Sequence, residues 1–264
     1  MSDELLYEQD GPIVTLSLNR PEVRNSVSSP ALLDALLAAV ERINADNSVK
    51  VAILTGKGSA FCSGGDLNNM HRLLDQRSTD PLSTIAYYAQ GIQRIPLAFE
   101  RLQVPVIAAV NGPAIGGGLD IACLCDIRFA AQGAKFAENY VRLGMVSGAG
   151  GYWLLPRVIG YAKACELALT GRVINADEAL ACGLVAHVVA DADLMTEVRA
   201  LADTIAVNPV DAIRMAKRLM KDSAHTPLAD HLGTVTMMQS LLHTGAHHRE
   251  AVTAFVEKRK PGSA

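Results

Sequence analysis

Apolar residues follow two rhythms along this chain. IVTLSL, Ile13 to Leu18, alternates apolar and polar positions as a half-buried strand does, and Asn19-Arg20-Pro21 ends it. Ser29-Pro30 is a helix start, a capping hydroxyl followed by proline in the first turn, and ALLDALLAAVERINAD continues at helical spacing. VKVAILT, Val49 to Thr55, is the next strand, followed by a glycine-rich loop, GKGSAFCSGGD, from Gly56 to Asp66. A strand–helix–strand opening implies a right-handed crossover and parallel pairing. The segment from Leu67 to Arg101 starts with the least apolar stretch of this half, NNMHRLLDQRSTDPLST. It reads as a mobile lid or pocket wall before a helix resumes.

The second half of the pattern turns on Val104 to Cys125, VPVIAAVNGPAIGGGLDIACLC. PVIAAV is a fully buried strand, Asn111-Gly112-Pro113 breaks it, and Gly116, Gly117 and Gly118 open a buried helix. Asp126 to Ala130 is another strand, and Lys135 to Tyr140 a short extended piece. A third glycine cluster, Ser147 to Gly151, opens the helix GYWLLPRV. Beyond Ala162 helices dominate, with one short strand at Leu184 to Val189 holding a structural His187. The pattern predicts a helix over Asp193–Val207, another in VDAIRMAKRLMKD and two more between Thr226 and Glu257. The expected organisation is an α/β core over residues 1–207 and a helical region over 208–264. Met215, Met220, Leu241 and Leu242 of that region face either another subunit or the chain's own core.

Composition narrows the class. The 264 residues are 50% hydrophobic and 19% charged, which fits a folded soluble domain with a sizeable core. A formal net charge of −3 leaves no electrostatic footprint for nucleic acid. No apolar run is long enough for a membrane helix, and the acidic N-terminus does not read as a signal peptide. The five cysteines are odd in number, lack CxxC spacing and sit mostly in apolar contexts. Reduced thiols, a cytoplasmic location and no metal site are expected.

The candidate chemistry lies in the glycine segments. Glycine costs roughly 1 kcal/mol against alanine in a helix, so three at a helix start point to close backbone approach. Free N–H groups there favour negative charge, and Asp120 follows three residues after Gly117. Ser63-Gly64-Gly65-Asp66 ends a second such loop, and two segments of this kind can aim two N–H donors at one developing oxyanion. Tight strand–helix packing and a capping Asp account for the same residues without chemistry. His71 reads as a solvated side chain, with pocket lining as the alternative. GMVSG is not a G-x-S-x-G elbow, and no G-x-G-x-x-G or P-loop is present.

In the order NRPEVRNSVS, AFCSGGDL, PVIAAVNGPAIGGGLDIACLCDIRFA, GMVSGAGG, GLV and AFVEKRK, these segments resemble the enoyl-CoA hydratase/isomerase (crotonase) family along nearly the whole chain. The resemblance implies an α/β spiral of repeated ββα units with a C-terminal helical trimerisation region, assembled as a homotrimer or dimer of trimers. It implies an acyl-CoA thioester as substrate, with coenzyme A arriving as part of that substrate and no permanently bound cofactor. The family's oxyanion-hole amides map onto Gly65 and Gly117, its CoA contacts onto Val23, Arg24, Ser63 and Asp66, and its C-terminal basic residue onto Lys258.

The carboxylates depart from the hydratase pattern. The acid after the glycine run is Asp120, as in related dienoyl-CoA isomerases, where hydratases carry Glu. The second position falls on Tyr140 in FAENY, where hydratases read FGQPE. Hydration shares water activation and proton delivery between two acids. Tyr140 can supply a hydrogen bond, and Glu138 either replaces the missing acid or is a solvated side chain. The expected activity is an enoyl-CoA hydratase with Asp120 as acid/base. The alternatives are an enoyl- or dienoyl-CoA isomerase, an acyl-CoA hydrolase, or a non-catalytic CoA-binding scaffold.

Overall fold

A computed structural model describes residues 3–72, 74 and 80–259. Strands β1 (Leu5–Asp10) and β2 (Ile13–Leu18) form an antiparallel hairpin turning at Gly11, whose φ is +56°. Helix α1 (Pro30–Ala45) starts where Ser29 Oγ accepts the Leu32 N–H, then the chain returns as β3 (Val51–Gly56). Among the described residues, helices α2 (Leu67–Arg72), α3 (Pro81–Gln90) and α4 (Arg94–Arg101) follow. The segment expected to be a polar lid is therefore largely helical where it is described. Strand β4 (Val106–Val110) leads through β5 (Ala114–Ile115) into helix α5 (Gly117–Leu124), then β6 (Ile127–Ala131) and β7 (Lys135–Ala137). Helices α6 (Gly151–Ile159) and α7 (Tyr161–Thr170), strand β8 (Ile174–Asn175), helix α8 (Ala176–Ala181) and strand β9 (His187–Val189) complete this part. The last described helices are α9 (Leu194–Ala206), α10 (Val210–Asp222), α11 (Leu228–His243) and α12 (Ala246–Val256).

One sheet has the order β1-β2-β3-β4-β6-β9, parallel except for the first pair. Strands β3 and β4 are buried along their whole length, so they read as continuous apolar runs. Alternation decides which face each side chain meets. Ile13, Val51, Ile53, Ile107 and Phe129 pack beneath Leu194, Val198 and Ala202 of α9. Leu16, Ala52, Leu54, Ala108 and Val110 belong to the larger core with Leu32 and Leu36 of α1. A second sheet, β5-β7-β8, joins the end of the β3 loop through a bridge between Cys62 and Ala114. That bridge holds the two glycine segments together.

Helix α10 attaches to this core through its basic side chains, Arg214 donating to the Asp46 carbonyl at 2.9 Å and Lys221 to the Phe99 carbonyl at 3.2 Å. Lys217 of α10 is 4% exposed, and its ammonium donates to the Val104 carbonyl at 2.7 Å and pairs with Asp126 Oδ2 at 2.8 Å. Asp126 also accepts the Val106 N–H, so one ion pair ties α10 to the start of β4. Helices α11 and α12 bury only Ala254 among their described residues, while Leu228, Leu232, Leu241 and Phe255 are exposed. Met220 and Leu241 are thus not covered by the chain's own core, and Met215 and Leu242 are only half-buried.

Lys217→Ala leaves Asp126 without its cation and the Val104 carbonyl without its donor. Removing one member of a buried pair costs about 3–5 kcal/mol, and Asp126 is partly solvated, so a loss of about 3 kcal/mol is expected by urea unfolding.

Candidate active site

The site begins where two main chains touch. The Ile115 N–H donates to the Cys62 carbonyl at 3.0 Å, and the Cys62 N–H to the Pro113 carbonyl at 3.1 Å. Gly64 has φ +80°, and a Cβ on it would meet the Ile115 carbonyl oxygen at 2.5 Å. A Cβ on Gly118 would overlap the Cys62 carbonyl. Side chains at these two positions would push the segments apart. Contact between them sets the Gly65 and Gly117 amides on one cleft wall, and neither amide donates a hydrogen bond to a described residue.

The cleft has a volume of about 490 Å³, and its lining includes Val23, Arg24, Ser63, Gly65, Asp66, Gly117 and Tyr140. The Ser63 N–H donates to the Arg24 carbonyl at 2.9 Å, which fixes the turn after β2 against the glycine loop. The Asp66 N–H donates to Ser28 Oγ at 2.8 Å. A smaller cavity of about 60 Å³ shares Gly65, Gly117 and Tyr140 and continues between Met70, Met145, Tyr88 and Ile92. Residues of the 67–101 segment therefore do form a pocket wall. His71 is exposed and lines neither cavity. Lys258, just past α12 with φ +54°, is exposed and lies outside both linings in this chain.

Asp120 sits in the first turn of α5, 1% exposed. Its Oδ2 accepts the Tyr140 hydroxyl at 2.7 Å and the Ser147 hydroxyl at 2.8 Å. Ser147 in turn accepts the Gly151 N–H at 2.8 Å, so the third glycine cluster orients its hydroxyl toward the acid. Asp120 itself lines neither cavity; Tyr140, whose hydroxyl lies against Gly117, stands between it and the cleft.

Glu138 departs from its reading as a solvated side chain: it is 0% exposed. Strand β7 ends at Ala137 and Tyr140 begins a 3-10 turn (Tyr140–Leu143), so the expected extended piece does not run through both residues. Both still reach Asp120. A Cβ on Gly151 would overlap Asp120 Oδ1 and come within 2.5 Å of Glu138 Oε1, so only glycine leaves room for the two carboxyl groups. Burial raises the proton affinity of both acids, and the negative charge of Asp120 raises that of Glu138 further. Burial, then the Asp120 charge, pushes the Tyr140 phenol well above its ordinary value. Cys62, next to this group, is pushed up to about 12 by burial and is an inert thiol.

Sequence reasoning brought Gly65, Gly117, Asp120 and Tyr140 to one place and put Val23, Arg24, Ser63 and Asp66 on the same cleft. It missed Ser147, whose only signal was the glycine cluster after it.

The enoyl-CoA hydratase/isomerase family profile matches residues 8–263. The chain is 36% identical to a 1,2-epoxyphenylacetyl-CoA isomerase of Escherichia coli, over 99% of this chain and 98% of that one. It is 35% identical to a crotonyl-CoA hydratase of Syntrophomonas wolfei, over 98% and 96% of the two chains. The crystal structure of an enoyl-CoA hydratase from Bacillus anthracis superposes with a TM-score of 0.90 at 34% identity, covering 98% of each chain. The architecture is accordingly a crotonase fold, and the chain is a member of the enoyl-CoA hydratase/isomerase family of enzymes.

Proposed function

We propose that the protein converts a 3-enoyl-CoA to a 2-enoyl-CoA through a thioester enolate, and that hydration is the lesser activity. The observation that carries this reading is that a phenol, Tyr140, and neither of the two buried acids lines the cleft beside Gly117. Two-acid hydration needs one group to activate water at Cβ and another to protonate Cα. Here the second position is the phenol Tyr140, and both Asp120 and Glu138 lie behind it. Moving a double bond needs only that one group take a proton from Cα and return it at Cγ.

The thioester carbonyl sits between the Gly65 and Gly117 amides, which have no other acceptor among the described residues. Their dipoles stabilise the enolate oxygen more than the carbonyl, which lowers the barrier. The Cα proton passes to the Tyr140 oxygen as the Tyr140 proton passes to Asp120 Oδ2. Reversal of the same relay delivers a proton to Cγ. The raised proton affinity of Asp120 strengthens it as a base, and the raised Tyr140 phenol keeps phenolate out of the resting state. Ser147 keeps Oδ2 pointed at Tyr140. The CoA portion lies along Val23, Arg24, Ser63 and Asp66, and the acyl chain enters the cavity at Tyr88 and Ile92.

A second reading is reversible hydration of a 2-enoyl-CoA, favoured by the relative named as a crotonyl-CoA hydratase. In that case Tyr140 and Asp120 hold the water. Residues 208–264 act as the oligomerisation region of a homotrimer or dimer of trimers. The exposed Leu228, Leu232, Met237, Leu241 and Phe255 support this, since the last two helices leave this much apolar side chain uncovered by their own chain. Lys258 then reaches a CoA phosphate on a neighbouring copy.

With 3-hexenoyl-CoA and crotonyl-CoA offered separately, conversion of the first is expected to outrun hydration of the second; the reverse order supports hydration instead. Asp120→Asn is expected to lower kcat by about 10²–10⁴-fold, the usual contribution of a general acid–base group. Tyr140→Phe is expected to cost nearly as much, and an effect below threefold would mean that Asp120 reaches the substrate directly. Lys258→Ala is expected to raise KM about tenfold with kcat unchanged, as loss of a binding contact does.

A further inference from the structure

Asp120 Oδ2 has two donors, but Asp120 Oδ1 has none among the described residues, and neither does either oxygen of Glu138. All three atoms are buried, and the Oδ1 and Oε1 atoms meet beside Gly151. No Lys, Arg or His among the described residues pairs with either acid. Two adjoining carboxylates in an apolar core without a cation would be strongly disfavoured. One proton between them removes one charge and supplies the missing donor.

We infer that Glu138 is held as a neutral carboxylic acid that donates its proton to Asp120 Oδ1, making it a positioning residue for the Asp120–Tyr140 unit. The inference rests on the proposed role of Asp120 for its kinetic consequences, though not for the protonation itself. Asp120 then has three hydroxyl donors: Tyr140 and Ser147 on Oδ2, Glu138 on Oδ1. Those donors keep its charge in the core and limit the rise in its proton affinity. Glu138 lies one residue past β7, whose last carbonyl, Ala137, accepts the Gly116 N–H at 2.8 Å; the acid is thereby fixed to the start of the glycine helix. Among the described residues, the other titratable groups facing Glu138 are Tyr140 two residues on, Cys123 from α5 and Tyr152 from α6, none of which carries positive charge.

Two variants separate positioning from direct participation. Glu138→Gln presents an amide N–H to Oδ1 and cannot ionise, whereas Glu138→Leu removes the donor. Infrared difference spectra of the full-length protein at neutral pH are expected to show the carbonyl stretch of a protonated acid that is absent from Glu138→Gln. Without such a band the inference is wrong, whatever the enzyme's activity. In kinetics, Glu138→Gln is expected to keep kcat within about threefold. Glu138→Leu is expected to move the acidic limb of the kcat profile to higher pH by about one unit, a tenfold loss that recovers as pH rises. Equal losses of order 10²-fold in both variants would instead make Glu138 a reacting group, and an unmoved acidic limb would remove its influence on Asp120. Full activity of Asp120→Asn would sink the proposed function while leaving the infrared result to judge Glu138.

Stability gives a further readout. Glu138 moves from an ordinary 4.5 to about 10 on folding, so the folded state keeps a proton that the unfolded chain releases. The contribution of Glu138 to stability is therefore full below about 4.5 and is lost as pH rises toward 10. Glu138→Gln is expected to flatten that slope; an unchanged slope contradicts the inference.

Discussion

Everything at this site depends on two loops lying backbone to backbone. The carbonyl of Cys62 accepts the Ile115 N–H and leaves no room for a side chain on Gly118, while Gly64 lies under the Ile115 carbonyl. This contact explains Gly64 and Gly118, one in each segment, as a matter of space before chemistry. Its chemical result is that the Gly65 and Gly117 amides, from different parts of the chain, share one cleft. The six-stranded sheet supplies the rigidity: β3 and β4 are neighbours, in register at Ala52 and Val106, and each delivers one of the loops.

Behind that wall lies a buried acid network with an asymmetric solvation. One oxygen of Asp120 is served by Tyr140 and Ser147, and the other faces a second carboxyl group. A charge in an apolar core is tolerable only with donors around it. The network therefore reads as one unit that determines where a proton resides. Its member that lines the cleft is a phenol, Tyr140.

Much of the fold was legible because period alone locates it. Ile13–Leu18 has the bounds its alternation predicts, and the helix after Ser29-Pro30 starts at its cap. Strand β1 was missed because LLYEQD is an edge strand buried only at its start, and β5 and β8 because two residues carry no period. The glycine segments and Asp120 were legible from local chemistry. The burial of Glu138 and the role of Ser147 were not, since they depend on contacts 18 and 27 residues away in sequence, made only once β7 and α6 pack on α5.

In the proposed chemistry Asp120, through Tyr140, removes a Cα proton while two backbone amides hold the enolate oxygen. The most direct measurement is exchange of the Cα hydrogens of a saturated acyl-CoA, butyryl-CoA, with solvent deuterium, followed by NMR. Such a thioester can enolise but has no double bond to move or hydrate. Enzyme-dependent exchange that disappears in Asp120→Asn is the predicted result. Absence of exchange with the wild-type protein, or exchange that persists undiminished in Asp120→Asn, would contradict it.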